Sequence, residues 1–170
     1  MSNIAGFGTL EHNVAIALGI WEHLERMLGE LYDRLSRVVF TPEKILLKYM
    51  SEMCERHAEY IARLYYEYEA MEKRLSPEEL REIDKASRKV LRDVEEVYLR
   101  ARNLLDPLEL ALAIEEMEKM CDVVRDSYSI LREHGDDEAW YIGKLIDMIT
   151  SETRIRREVL GEVVKRLGSR

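Results

Sequence analysis

Three prolines occur in 170 residues, Pro42, Pro77 and Pro107, and each follows a residue whose side chain can cap a helix: Thr41, Ser76 and Asp106. Proline at the first helical position costs nothing, because its missing N–H is one that no helix satisfies internally. Ser76-Pro77-Glu78-Glu79 and Asp106-Pro107-Leu108-Glu109 also put a glutamate at the third helical position, which completes two capping boxes. His134-Gly135-Asp136 supplies a further joint, with glycine suited to a left-handed C-cap and aspartate to the next N-cap. This punctuation divides the chain into five stretches, roughly 9–39, 42–75, 77–105, 107–134 and 136–168. Each is about 40–45 Å long as a helix. Near-equal lengths joined by short connections predict antiparallel neighbours in an all-α bundle of one domain, 1–170.

The apolar residues agree with this division. Val14, Ala17, Trp21, Leu24, Leu28, Leu31 and Leu35 form a stripe at helical spacing, and Ile83, Val90, Val94, Val97 and Leu104 form another. No segment alternates with the period of a strand. There is no Gly-rich phosphate loop, no Ser-His-Asp set, no nucleophile elbow and no HExxH motif. Catalytic residues therefore stay unassigned.

Charge and targeting narrow the partners. Thirty-four acidic against 26 basic side chains give a net charge of -8, which argues against a grip on nucleic acid or on an anionic membrane. The opening residues lack a signal-peptide pattern and no apolar run approaches a membrane span, so a soluble cytoplasmic protein is expected. The 35% of charged residues suits a thermophilic source. Tyr65, Tyr66 and Tyr68, with Trp140-Tyr141, supply aromatic surface for self-association into a homo-oligomer or for a partner protein.

The stripes also carry polar residues that a core would not choose. Glu25 precedes Tyr32 by seven residues on the stripe of Trp21, Leu28 and Leu35. Cys121 precedes Tyr128 by the same interval on a stripe through Ile114, Met117, Val124 and Leu131. The second stretch answers with Cys54 and His57, on one helix face at i and i+3, and the fifth with Thr153 and Arg156 in the same frame.

This arrangement resembles the ferritin-like superfamily, in particular its rubrerythrin-type branch. The resemblance implies a four-helix bundle of two hairpins, with the helix near 77–105 as the crossover between them. It further implies a dimetal centre held by glutamates and histidines that face the core. Of six expected ligand positions, Glu25 and His57 keep the family residue. Cys54 and Cys121 stand for glutamates, and Thr153 and Arg156 for the last Glu and His.

Three readings of the set stand open. Glu25, Cys54, His57 and Cys121 can converge on one ion, zinc or mononuclear iron, with Glu22 or Glu118 nearby and Glu152 in reserve if the last helix slips by one residue. Such a site would make the chain a metal-binding oxidoreductase or a metal-storage protein. Alternatively the cysteines are small buried hydrophobes beside a satisfied core histidine, or they pair in a Cys54–Cys121 disulfide. Arg156 bears on this choice, since a guanidinium in the same layer repels a cation and can pair with Glu25 directly. The expectation is a ferritin-like protein with its dimetal centre lost or rebuilt, acting as a non-catalytic, self-associating binding or structural protein. A helical protein–protein interaction module is a further alternative.

Overall fold

A computed structural model describes residues 13–40, 42–127 and 140–169. The described chain is helical and contains no strand among these residues. Five long helices are α1 (Asn13–Val38), α2 (Glu43–Leu64), α4 (Pro77–Ala101), α5 (Pro107–Ser127) and α6 (Trp140–Gly168). A 3-10 turn (Tyr65–Glu67) and the short helix α3 (Tyr68–Glu72) follow α2. None of the described helices is long and apolar enough to cross a membrane.

The expected start chemistry is present where it is described. Ser76 Oγ accepts from Glu79 N–H, and Glu79 Oε2 accepts in return from Ser76 N–H at 2.7 Å, so α4 opens on a complete capping box. Asp106 Oδ1 accepts from Glu109 N–H at 2.9 Å and starts α5. Thr41, Tyr128 and the His134-Gly135-Asp136 joint lie outside the described residues, as does the start expected for the first helix near residue 9.

Two boundaries differ: the helix expected over 77–105 closes at Ala101, which leaves Leu104 past its end, and the second helix is interrupted. The helix expected over 42–75 begins after Pro42 and is divided at Tyr65, whose N–H reaches back to Ala62 O, three residues rather than four. That tightening ends the α-helical ladder and leaves Glu67 outside α-helical geometry before α3 begins. The break lets Glu72 of α3 accept from Val14 N–H at 3.1 Å. An anionic side chain thus sits at the N-terminal end of α1, where the helix dipole favours it.

Helix directions follow from cross-helix pairs. Asp33 with Lys48 and Arg26 with Glu55 run α1 against α2 in opposite senses. Tyr32 with Glu118 and Glu25 with Arg125 do the same for α1 and α5, and Glu43 with Arg166 and His57 with Glu152 for α2 and α6. α5 also packs along α6, and α4 lies on both α1 and α5. Leu104 O, just past the end of α4, accepts from Arg34 while Glu95 lies near His23, so α4 runs parallel to α1.

The α1 stripe read from the sequence is buried along its whole length, with Trp21, Leu28, Leu31 and Leu35 all essentially inaccessible. Each such side chain stabilises the fold by about 1.5–3 kcal/mol. α1 and α2 approach closely at Gly29, where a β-carbon would come within 3.2 Å of Cys54 Cβ. Ser51 Oγ donates to Gly29 O across the same point at 2.9 Å. This contact sets Cys54 one layer into the core, facing α6.

Candidate functional site

The central layer of the four helices α1, α2, α5 and α6 contains charge rather than hydrocarbon. Arg156 is fully buried on α6, and its guanidinium touches three helices at once. Nη1 donates to Glu25 Oε2 at 2.8 Å and to Cys54 Sγ at 2.9 Å, while Nε donates to Glu118 Oε1 at 2.6 Å and Nη2 to Glu118 Oε2 at 3.1 Å. The fork across Glu118 is bidentate, the geometry in which an arginine–carboxylate pair is strongest. Arg156 also lies over the Tyr32 ring, 5.8 Å from its centroid.

A second guanidinium, that of Arg125 on α5, completes the balance. Its Nη2 donates to Glu118 Oε2 at 3.0 Å and reaches Glu25 Oε1 at 3.4 Å, and its Nη1 donates to Asp122 at 2.9 Å. Tyr32 O–H donates to Glu118 Oε1 at 2.9 Å. Two buried carboxylates thus face two buried guanidiniums. Each charge is compensated and hydrogen-bonded, the condition under which buried ions persist.

The electrostatics follow from that balance. Burial alone lifts the Glu25 carboxyl, but Arg156, with His57 and Arg125, outweighs burial and holds it well below the usual carboxylate range. Glu118 is lowered in the same way, its burial outweighed by Arg156 and Arg125. Both carboxylates stay ionised. Burial pushes the Cys54 thiol well up despite the neighbouring Arg156, and lifts Cys121 to about 12. Both cysteines are free thiols, so the Cys54–Cys121 disulfide is not formed.

The residues singled out from the sequence do reach this layer. Glu25, Cys54, His57, Cys121, Thr153 and Arg156 are all buried. His57 Nδ1 lies 3.4 Å from Glu25 Oε2, and its Nε2 pairs with Glu152 Oε2 at 2.8 Å. The α6 register is unslipped, with Thr153 facing inward and the Glu152 side chain 43% exposed. Glu152 reaches the histidine from the rim instead, at the floor of a cleft of about 290 Å³ with Arg56, Tyr60 and Met148 in its walls.

Arg125 was not foreseen, and Glu118 was foreseen only as a nearby carboxylate. Their signal is present in the sequence. Glu118 and Arg125 are seven residues apart and flank Cys121 at i−3 and i+4, so they share its helix face. The buried face of α5 is simply wider than the stripe through Met117, Cys121 and Val124.

A metal ion would need the lone pairs that the guanidiniums already engage. Glu25 and Glu118 are directed at Arg156, Cys54 accepts from the same guanidinium, and both thiols are held protonated. As arranged, the donor set does not fit a cation, because thiolate is the form that binds and a fixed positive charge occupies the centre. No three carboxylate, thiol or imidazole donors among the described residues form a metal-holding group. Comparison with known proteins finds no family profile, no curated protein and no solved structure that matches this chain.

Proposed function

We propose that this chain is a ferritin-like bundle in which two guanidiniums have taken the place of two metal ions, and that it serves as a non-catalytic, self-associating binding protein. The observation that carries the reading is the pairing of Arg156 with Glu25 and Glu118 together, since on the resemblance Arg156 stands for a histidine ligand. Helix order and direction support it. α1 and α2 make one hairpin, α5 and α6 the other, and α4 returns the chain between them alongside α1. Buried groups that a core built only for stability would avoid support descent from a chemical site. Thr153 Oγ1 and Arg125 Nε are enclosed without a hydrogen-bond partner, each at a cost of about 1–3 kcal/mol.

The test is metal analysis of protein purified without chelator or His tag. Less than about a tenth of an equivalent of iron, zinc or manganese is expected. A stoichiometric metal that disappears in His57→Ala would overturn the reading and restore a Glu/Cys/His centre.

A further inference from the structure

Glu25 of α1, His57 of α2, Arg125 of α5 and Thr153 of α6 share one level of the bundle. Three contacts fix that level. Glu25 Oε2 lies 3.4 Å from His57 Nδ1, Glu25 Oε1 lies 3.4 Å from Arg125 Nη2, and His57 Nε2 meets Glu152, the residue before Thr153. Thr153 also stands one turn before Arg156 on the buried face of α6, and Arg156 itself donates to Glu25. None of the four side chains is more than 3% exposed.

On this level three polar atoms meet no hydrogen-bond partner among the described residues: Thr153 Oγ1, His57 Nδ1 and Arg125 Nε. One such atom would be a local misfit. Three around a single carboxylate form a pattern, because buried polar groups are otherwise paired with protein or with enclosed water.

We propose that these three atoms and Glu25 form a binding site for one enclosed water molecule. The hydrogen-bonding chemistry of the four groups selects that guest. Arg125 Nε–H can only donate, and the Glu25 carboxylate, kept ionised by the arginines, can only accept. Thr153 Oγ1 can do either. The neutral His57 ring, donating through Nε2 to Glu152, presents a lone pair at Nδ1, and the Glu25 carboxylate beside it has no hydrogen to give. The guest must therefore donate twice, to His57 Nδ1 and to Glu25, and accept from Arg125 Nε or from the Thr153 hydroxyl. Water does this with two hydrogens and two lone pairs.

Charge excludes the alternatives. An anion would be set against Glu25 and Glu118, and a cation against Arg125 and Arg156, which already balance two against two. Near-complete burial of all four side chains keeps the guest small. An enclosed water also offsets the cost of burying these donors and acceptors unpaired. It joins α6 to α1, α2 and α5 one turn away from the Arg156 fork, at a level where Thr153 makes no direct hydrogen bond.

Thr153 decides the matter in the full chain. Valine keeps the shape of threonine and replaces the hydroxyl with a methyl group. Thr153→Val removes an orphan if no water is bound and removes a partner if one is, so the two cases move stability in opposite directions. The folding equilibrium constant from urea unfolding should fall about fivefold or more in Thr153→Val. Oxygen-17 magnetic relaxation dispersion, which counts long-lived internal waters, should lose one water in Thr153→Val and none in Thr153→Ser, which keeps the hydroxyl. A crystal structure of the parent should place that water within about 3.2 Å of Thr153 Oγ1 and of His57 Nδ1 or Arg125 Nε. A Thr153→Val chain at least as stable as the parent would overturn the proposal, since the hydroxyl would then be a bare orphan. Stability lost without the loss of a water, or a crystal structure with no water on these atoms, would overturn it as well.

Discussion

Arg156 Nη1 stands 2.8 Å from Glu25 Oε2 while the same guanidinium grips Glu118 from its other edge, so one side chain of α6 ties together α1 and α5 at the centre of the core. Removing one member leaves an uncompensated charge where water cannot reach it. Glu25→Gln should therefore cost about 3–5 kcal/mol, read as a lower urea midpoint with an unchanged slope. Glu25→Leu combined with Arg156→Met removes one charge of each sign and leaves Glu118 with Arg125. The double variant should lose less than the sum of the single losses, with coupling of at least about 1 kcal/mol. Strict additivity would show that the pair does not act as a unit.

The same pairs fix the acid limit of the fold. Glu25 and Glu118 titrate below their ordinary value of 4.5 in the folded state, because the arginines outweigh burial. As pH falls the unfolded chain takes up these protons first, so it gains on the native state. The stabilisation is complete above the unfolded value near 4.5 and is lost progressively as pH falls through the depressed native values. Urea midpoints measured from about pH 6 to pH 3 should fall steeply below 4.5. Glu118→Gln, with one such carboxylate fewer, should show a shallower fall. Parallel acid limbs in the two proteins would remove Glu118 from the account.

These relationships were legible in the sequence to different depths. The helices could be read because proline and its cap are local chemistry, and Glu25 stood out because a carboxylate on a leucine stripe demands a partner. The frame that put Arg156 in the layer of Glu25 anticipated a real contact between the two. Arg125 escaped because it lies one position off the stripe through Val124, where helical periodicity assigns a polar residue to the rim. Whether such a residue turns inward depends on what the neighbouring helix offers, here Glu25 of α1, which Arg125 meets together with Glu118 of its own helix. The break at Tyr65 escaped for another reason. No glycine or proline marks it, and the hydrogen bonds tighten where α3 folds back on α1.

Both cysteines should be chemically silent in the native protein. Burial outweighs the nearby guanidiniums, and with Cys121 raised to about 12 only about one thiol in ten thousand is ionised at pH 8. Titration with a chromogenic disulfide should find no reactive thiol in buffer and two once denaturant is added, since both Cys54 and Cys121 are free. Rapid reaction of either thiol in the native state would mean that the core opens locally, or that Arg156 stabilises a thiolate at Cys54.

Charge arithmetic yields the strictest test of descent from a metal site. The layer now holds Glu25 and Glu118 against Arg125 and Arg156, and it sums to zero. Combining Cys54→Glu, Cys121→Glu, Thr153→Glu and Arg156→His rebuilds the family pattern, adds three carboxylates and removes one guanidinium. The layer then carries five negative charges and one positive, an excess that two divalent cations would cancel. Without metal this variant should be strongly destabilised, because like charges are forced together in a dry core. With manganese or ferrous iron at about a thousandfold its Kd it should recover about 4 kcal/mol, seen as a rise in Tm that saturates with added metal. The parent chain, already neutral in this layer, should show no such rise. A rebuilt layer whose Tm is indifferent to metal would mean that these six positions never formed a coordination sphere, and that the resemblance ends at the helices.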